Sequence, residues 1–359
     1  MSTAALRTYA NTVPVMERHR FDQASLDRYL RVHVEGYRGG LEVRQFDSGH
    51  SNPTFFLSAE MATGKRQDFV LRKKPPGKLV ASAHQVDREF RVISALAATD
   101  VPVARTRVLC NDDSVIGQMF YIMDAVEGRI LIDPSMPEQT PAERTAIFDS
   151  MNDVLARLHK VDPVKVGLGD YGRIGQYITR QVARWSKQYA ELKTEEIPAM
   201  EKLAAWLPQN IPAEDPTTIV HGDYRLGNLI VHPTEPRIVA VLDWELCTLG
   251  DPLADLGYIG IYWRDPGEPI TGGNDPTGIE GFPFYSELVE RYAQKTGRDV
   301  SQIAYYRAFS AYRLAVIGEG VYARYLNGAM ADELPDMESM KNSVDTRVDW
   351  ALELLKNLR

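Results

Sequence analysis

The chain of 359 residues is long enough for two domains or one two-lobed unit, and its 44% hydrophobic content is typical of proteins with a sizeable core. Its 41 basic and 49 acidic residues give a net charge of −8, which disfavours nonspecific binding to nucleic acids or anionic membranes. Two cysteines are too few for a disulfide scaffold or a cysteine-rich metal site. We therefore expect Cys110 and Cys247 to be buried free thiols in a reducing compartment.

The sequence shows no segment of the length and hydrophobicity that a membrane span requires. The longest nearly apolar stretch, from Leu256 to Trp263, is far shorter than the roughly 18 residues needed. The first 20 residues contain several charged side chains and no apolar core, which is unlike a signal peptide. We expect a cytoplasmic protein whose partners include neither membranes nor nucleic acids.

Residues 1–123 predict a small β-rich lobe. Leu26, Tyr29, Leu30 and Val34 recur at helical spacing and predict a helix over 22–34. Strands are expected at Leu41–Asp47, Thr54–Ala59, Asp68–Arg72, Arg105–Cys110 and Gln118–Met123. A second helical pattern covers 84–98. We therefore expect a sheet of about five strands with one internal helix.

After a predicted hinge at 124–127, residues 128–359 predict a larger, mostly helical lobe, and hence an α+β fold. Helices are expected at 141–160, 174–192, 285–296, 302–325 and 341–358. Three short strands are expected at Thr218–Val220, Leu229–His232 and Ile238–Leu242. The segment 264–283, rich in glycine and proline, is either a substrate lid or a long surface loop.

The most informative motif is H-G-D-x-x-x-x-N, which runs from His221 to Asn228 and is followed by a hairpin ending at Asp243. Phosphoryl transfer needs a carboxylate near the attacking hydroxyl, an amide oxygen on magnesium and a second carboxylate bridging the metal and the phosphates. Asp223, Asn228 and Asp243 supply these groups in that order. A single loop aspartate is usually a turn former, but the joint pattern favours catalysis. We expect His221 and Asp255 to brace the loop.

These motifs resemble those of the aminoglycoside phosphotransferase-like branch of the protein-kinase superfamily. The stretches LRKKPPG, VDREFRV and VLDWELCTLGDPLADL also look like the kinase-like domain of acyl-CoA dehydrogenase family proteins, and the likeness covers about residues 40–325. The resemblance implies a bilobal protein-kinase-like fold and transfer of the γ-phosphoryl group of ATP or GTP to a small-molecule hydroxyl. It implies Asp223 as the catalytic residue, with Asn228 and Asp243 holding magnesium.

The same resemblance implies nucleotide contacts from the first lobe. The loop 46–52 matches the family's phosphate-covering hairpin, in which backbone amides near Gly49, Ser51 and Asn52 would hold phosphates. It contains one glycine, so the loop is a weak signal by itself. In the hinge region, the backbone at Met123 and Ala125 would meet the base.

The phosphate-binding lysine of the family aligns with Arg72, so this sequence departs from the usual residue. Arginine can bind phosphate with two hydrogen bonds. A shift of the strand by one position would instead present Lys73 or Lys74. Glu89, predicted on the polar side of helix 84–98, is the expected partner of the basic residue.

The sequence constrains the identity of the phosphate acceptor less than that of the nucleotide. Arg180, Arg184, Trp263 and Arg264 predict an aromatic and basic pocket, which suits an anionic acceptor such as a hydroxyacyl-CoA; alternatively, the arginines form a solvated helix face. An aminoglycoside acceptor is the second possibility. A catalytically inactive nucleotide-binding relative that acts through partners is the third, and the oligomeric state stays open.

Overall fold

The structure, a computed structural model, describes residues 6–7, 12–47, 52–75, 85–213, 216–269, 276–327 and 336–356. The chain forms two compact units. The first comprises Met1–Ile132 and Leu226–Cys247, and the second comprises Asp133–Arg225 and Thr248–Arg359. This division differs from the predicted one at 124–127, because the hairpin after the H-G-D-x-x-x-x-N motif packs within the first unit.

Ten α-helices and twelve strands lie within the described residues. The helices are α1 (Gln23–His33), α2 (Val86–Leu96), α3 (Asp113–Ile116), α4 (Pro141–Lys160), α5 (Tyr177–Leu192), α6 (Pro198–Trp206), α7 (Leu253–Ile259), α8 (Tyr285–Thr296), α9 (Ile303–Leu326) and α10 (Met337–Lys356). The strands are β1 (Leu6–Arg7), β2 (Thr12–Val13), β3 (Tyr37–Phe46), β4 (Thr54–Met61), β5 (Arg66–Lys73), β6 (Thr106–Cys110), β7 (Phe120–Asp124), β8 (Arg129–Ile130), β9 (Thr218–Val220), β10 (Leu229–Val231), β11 (Ile238–Val241) and β12 (Thr248–Gly250).

The first unit is built on an antiparallel sheet with the order β2-β3-β4-β5-β7-β6. Alternate side chains of its strands, such as Phe55 and Leu57 of β4, are fully buried against α1, as expected for a sheet with one face on a core. The side chain of Asp22 caps α1 by accepting from two backbone amides. The sheet has six strands rather than about five, because Thr12–Val13 pairs with the end of β3.

A second sheet in the first unit has the order β1-β8-β10-β11. The Nε of Arg129 in β8 donates to the carbonyl of His232 at 2.9 Å, and its Nη2 donates to Glu235 at 3.1 Å. Val241 at the end of β11 donates to the carbonyl of Pro102 at 2.9 Å. These bonds tie the β10–β11 hairpin to the part of the chain that precedes residue 132.

The second unit is mostly helical and contains the two-stranded sheet β9-β12. Thr140 and Glu143 form a capping box that fixes where α4, one of the predicted helices, begins. Helix α9 packs against α5, α7 and α10 and is buried along most of its length. At Gly257 of α7, an added Cβ would lie 2.6 Å from the backbone of Tyr306, so glycine allows α7 to approach α9 closely.

Most predicted elements are confirmed, with small shifts at their ends, but helices α3, α6 and α7 and strands β1, β2, β8 and β12 were not predicted. Cys110 and Cys247 are buried free thiols, as expected. Across the described ranges, no helix has the length and hydrophobicity needed to cross a membrane. Within the segment 264–283, residues 270–275 lie outside the described residues; before them, Glu268 pairs with Arg307 at 2.8 Å.

Candidate active site

Arg72, near the end of β5, lies at the centre of a buried cluster in the first unit. β5 pairs with β4 and β7, and Arg72 stands opposite Thr54 and Tyr121. Its neighbour Lys73 points to the other face, where its Nζ lies 5.3 Å from the ring centroid of Phe21. The register therefore presents Arg72, and not Lys73, to α2.

Arg72 is held by three carboxylates. Its Nε lies 3.0 Å from Oε2 of Glu89, and its Nη2 donates to Oδ1 of Asp243 at 2.9 Å. A longer contact of 3.4 Å joins Nη2 to Glu245. The predicted pairing of Arg72 with Glu89 is confirmed, whereas the contact with Glu245 was not predicted, although the D-W-E motif contains that residue.

Glu89 lies on the buried face of α2 and not on its polar side, which corrects the sequence-based placement. Its side chain is 1% exposed. Asn52 Nδ2 donates to its Oε1 at 3.0 Å, and the hydroxyl of Tyr121 donates to its Oε2 at 3.1 Å. A buried carboxylate is stable only with such partners. Glu89, itself held by Asn52 and Tyr121, thus fixes the position of the Arg72 guanidinium.

The electrostatics of the cluster follow from its burial. Loss of hydration raises the pKa of Glu89 to about 7, although the Arg72 guanidinium acts to lower it. Burial acts to lower the pKa of Arg72, but the neighbouring carboxylates, chiefly Glu89, outweigh this effect and raise it. The guanidinium therefore stays charged throughout the range in which Glu89 titrates.

Glu89→Gln is expected to change the pH dependence of stability. Since the pKa of Glu89 is about 7 in the folded protein against an ordinary 4.5, its contribution to stability is complete below pH 4.5 and is lost as the pH rises through 7. Glutamine cannot ionise, so the unfolding free energy of the variant relative to wild type should rise by about 3 kcal/mol between pH 4.5 and 8. Denaturant titrations at a series of pH values measure this difference.

The matched control is Glu42→Gln on β3, whose side chain is 74% exposed. This variant should follow the wild-type pH dependence. Parallel stability curves for wild type and Glu89→Gln would contradict the raised pKa of Glu89.

The β10–β11 hairpin brings Asn228 and Asp243 to the same end of the first unit's second sheet. Asn228 immediately precedes β10, Asp243 is the second residue after β11, and Leu229 pairs with Val241. The amide of Leu242 donates to the carbonyl of Asn228 at 2.8 Å. Asp243 adopts the left-handed conformation, with φ 60° and ψ 64°, which is strained for an aspartate and characteristic of functional sites.

The remaining predicted nucleotide contacts are only partly described. Gly49 and Ser51 lie outside the described residues, and the side chain of Asn52 is directed to Glu89. Met123 pairs with Val70 within the sheet. The amide of Ala125 donates to the carbonyl of Asp68 at 3.1 Å, so a nucleotide contact there would have to use the carbonyl of Ala125.

In the second unit, the start of the catalytic-loop motif is held by Asp255 of α7. Its carboxylate accepts from the amides of His221 at 2.6 Å and Gly222 at 2.8 Å. Although burial acts to raise the pKa of Asp255, its hydrogen bond to His159 and the neighbouring His221 keep it below the usual range. Gly222 has φ 84°, which glycine adopts without strain. The predicted bracing role of Asp255 is confirmed.

His221 supports the loop from the other side. It is fully buried, and its Nδ1 accepts from the amide of Asp223 at 3.2 Å. Because Nδ1 acts as an acceptor, the proton of a neutral His221 ring resides on Nε2. His221 is therefore a brace for Asp223, as expected, and a base role is not needed to explain its position.

The Asp223 carboxylate is contacted by groups from α7 and from its own loop. The hydroxyl of Tyr258 donates to its Oδ1 at 2.5 Å, and Nε of Arg225 lies 3.4 Å from its Oδ2. Tyr258 sits in the apolar run LGYIGIYW, so the sequence suggests an ordinary core residue. This contact was missed by the sequence analysis.

The structure places the four residues predicted to bind the acceptor in separate surroundings. Trp263 is 2% exposed and packs edge-on against Phe148, so the structure assigns it to the core. Arg180 donates to the carbonyls of Arg173 and Gly175 at the start of its own helix. Arg264 donates to the carbonyl of Glu268 at 2.9 Å, and Arg184 is exposed beside the ring of Trp185.

Other basic residues of the second unit surround Tyr258. Nη2 of Arg313 in α9 donates to the carbonyl of Gly222 at 3.1 Å, and its guanidinium lies 5.4 Å from the Tyr258 ring centroid. Burial lowers the pKa of Arg347 in α10, whereas nearby Tyr262 and Tyr258 act to raise it. With Arg225, these arginines come from three separate segments, which explains why sequence periodicity did not group them.

Comparison with known proteins relates most of this chain to phosphotransferases. A family model described as the phosphotransferase enzyme family matches residues 42–299. Acyl-CoA dehydrogenase family member 11 of Rattus norvegicus is 41% identical over 353 residues, which cover 96% of this chain and 44% of the relative. Family member 10 of Mus musculus is 44% identical, with 89% of this chain and 30% of the relative covered. The chain thus spans less than half the length of these relatives.

Solved structures share the fold. A candidate aminoglycoside phosphotransferase from Ralstonia eutropha is 45% identical, with a TM-score of 0.81 and coverage of 93% of this chain and 99% of that one. Aminoglycoside phosphotransferase APH(4)-Ia, in a ternary complex with AMP-PNP and hygromycin B, is 15% identical; the TM-score is 0.57, with 91% of this chain and 98% of that one covered. The predicted α+β, kinase-like fold class is confirmed.

Proposed function

The chain belongs to the phosphotransferase enzyme family, and we propose that it transfers the γ-phosphoryl group of a nucleoside triphosphate, with magnesium, to a hydroxyl of a small molecule. The observation that carries the proposal is the Arg72 cluster, in which Glu89 holds the guanidinium and Asp243 accepts from its outer nitrogen. A guanidinium that pairs with a buried glutamate through one nitrogen and with the aspartate of the D-W-E motif through another is suited to binding nucleotide phosphates. A structural neighbour crystallised with AMP-PNP supports ATP as the donor.

The donor set in the first unit fits magnesium. Asn228 and Asp243 offer an amide oxygen and a carboxylate at one end of the β10–β11 hairpin, and Mg²⁺ prefers a few such hard oxygens together with phosphates and water. When bound, magnesium neutralises phosphate charge.

The chain's own residues would perform the remaining tasks. Arg72 would bind nucleotide phosphates through two N–H groups, as the planar guanidinium allows. Asp223 would orient the acceptor hydroxyl and accept its proton as the new O–P bond forms. Asp255 and His221 would keep the Asp223 backbone fixed, since both hydrogen-bond to that loop.

For the acceptor, we propose a hydroxyacyl-CoA. Arg225, Arg313 and Arg347 near Tyr258 would favour an anionic molecule, because clustered arginines bind phosphates well. The names of the relatives point to acyl-CoA chemistry in the longer proteins. An aminoglycoside is the second candidate, favoured by the description of the Ralstonia eutropha structure.

The first test is thermal stabilisation by ATP, with and without Mg²⁺, for wild type and Asp243→Asn. Ligand at 100 times its Kd contributes about 2.7 kcal/mol, which for a chain of this length corresponds to a Tm increase of roughly 4 °C. We expect a magnesium-dependent increase that the variant lacks. Asparagine tolerates the left-handed conformation of Asp243, so the substitution removes charge without adding backbone strain.

The outcomes separate the candidate functions. If Mg²⁺ raises the Tm of wild type in ATP, hydroxyacyl-CoAs and aminoglycosides are compared as acceptors, with the phosphorylated product identified by mass spectrometry. If nucleotide stabilises the protein but no acceptor is phosphorylated, the inactive nucleotide-binding relative is favoured; if millimolar nucleotide stabilises neither protein, the proposed nucleotide site is refuted. Equal magnesium-dependent stabilisation of both proteins would contradict the role of Asp243.

A further inference from the structure

Two tyrosines of the second unit form an ordered chain of hydrogen bonds that ends on Asp223. The hydroxyl of Tyr258 is 2.5 Å from Oδ1 of Asp223 and 3.1 Å from the hydroxyl of Tyr262. Tyr258 is 5% exposed and Tyr262 is 38% exposed. The chain therefore runs from a solvent-accessible hydroxyl through a buried one to the carboxylate.

The donor of each hydrogen bond in this series can be identified by counting the available protons. A tyrosine hydroxyl has one hydrogen, and an ionised carboxylate can only accept. Tyr258 donates its hydrogen to Asp223, so the bond between the tyrosines must be donated by Tyr262. Burial, followed by the charge of Asp223, raises the pKa of Tyr258, so it remains a protonated donor.

The position of Tyr258 is itself fixed by packing. It lies on α7, the helix whose Asp255 holds the amides of His221 and Gly222. The guanidinium of Arg313 packs 5.4 Å from the Tyr258 ring centroid and also donates to the carbonyl of Gly222. The donor and its acceptor are thus attached to one rigid frame, which preserves the geometry of the short bond.

We propose that Tyr258 is a positioning residue for Asp223, holding Oδ1 so that Oδ2 faces the acceptor hydroxyl. This inference rests on the proposed function, in which Asp223 acts on that hydroxyl. In the transfer step the acceptor O–H bond breaks and its proton passes to Oδ2. The acceptor oxygen forms a bond to the γ-phosphorus while the bond to the leaving nucleoside diphosphate breaks.

Tyr258→Phe removes the hydroxyl and keeps the ring that packs beneath Arg313. We expect kcat to fall roughly 10- to 100-fold, the kinetic equivalent of one hydrogen bond to a charged group, with the KM for nucleotide unchanged. The carbon-13 resonance of the Asp223 carboxyl should also shift at constant pH, because its Oδ1 loses a hydrogen-bond donor. Tyr262→Phe should give a smaller change in the same direction.

Tyr305→Phe is the matched control for loss of a buried hydroxyl. Tyr305 of α9 donates to the carbonyl of Leu207 at 2.9 Å, in the same unit but without contact to Asp223. This variant should lose thermal stability and keep the wild-type kcat and Asp223 carboxyl resonance. An unchanged kcat in Tyr258→Phe, or a fall in kcat with the Asp223 resonance unchanged, would overturn the positioning role.

A second measurement separates this inference from the proposed function. Carbon-13 NMR of labelled aspartate observes the Asp223 carboxyl at constant pH without any turnover, with Asp223→Asn used to assign the signal. A changed chemical shift of the Asp223 carboxyl carbon in Tyr258→Phe, with no change in Tyr305→Phe, supports the contact even if no acceptor is phosphorylated. The same chemical shift in wild type and Tyr258→Phe overturns it, whereas an inactive wild type alone refutes only the proposed function.

Discussion

Asp223→Asn should lower kcat by about 10²- to 10⁴-fold while leaving nucleotide affinity within a few-fold of wild type. Positioned general bases contribute rate factors of this size, and asparagine keeps the shape of the side chain but cannot accept the proton. The nucleotide contacts assigned to Arg72 and Asp243 belong to the first unit, whereas Asp223 belongs to the second. Steady-state kinetics and calorimetric titration with nucleotide measure the two quantities separately.

The control for this variant is Asp149→Asn on α4. Asp149 is a half-exposed acid of the same unit and pairs with Arg291 at the surface. Its loss should change kcat little, because exposed ion pairs contribute little even to stability. If Asp223→Asn turns over as fast as Asp149→Asn, Asp223 is not the base.

Arg72→Ala should abolish nucleotide binding and destabilise the first unit by about 3–5 kcal/mol near pH 8. Removing one partner of a buried ion pair leaves the other charge uncompensated. The Glu89 carboxylate then loses its counter-ion, although Asn52 and Tyr121 remain hydrogen-bonded to it. Because the pKa of Glu89 is about 7 in wild type, the loss should be smaller at pH 6, where protonation relieves the buried charge.

Two further variants make this prediction specific. Arg72→Lys keeps the charge but lacks the fork that reaches Glu89 and Asp243 together, so an intermediate nucleotide affinity is expected. Arg129→Ala removes a guanidinium that ties β8 to the carbonyls of His232 and Glu235 in the same unit. It should lower stability without changing affinity. Normal nucleotide affinity in Arg72→Ala would disprove the phosphate role.

The sequence predicts the nucleotide-side residues better than the acceptor-side residues, for a physical reason. Motif spacing selects Asp243, and the resemblance to the phosphotransferase family limits the phosphate-binding residue to Arg72 or its neighbours. A slip of one residue reverses the faces of a strand, so only the observed pairing with β4 and β7 identifies Arg72. Glu89 was placed on the wrong face because a charged residue in an amphipathic helix is usually exposed.

Acceptor-side residues depend on contacts between distant segments. A helical wheel suggests that Arg180 is free to bind a ligand, but its guanidinium donates to two backbone carbonyls at the start of its own helix. The sequence suggests that Tyr258 is an ordinary core residue, but its hydroxyl donates to Asp223. Neither fact follows from local periodicity, because each depends on which tertiary neighbours supply hydrogen-bond partners.

The division of the chain has a consequence for biosynthesis. The first unit needs Leu226–Cys247 for its β10–β11 hairpin and for the carboxylate of Asp243. A ribosome adding about 5–20 residues per second needs roughly 6–23 s to proceed from residue 132 to residue 247. During that interval Arg72 and Glu89 have no Asp243 to complete their cluster. The six-stranded sheet that carries Arg72 can pair before then, whereas the Arg72 cluster and the sheet β1-β8-β10-β11 must wait for Leu226–Cys247, which is translated only after residues 133–225 of the second unit.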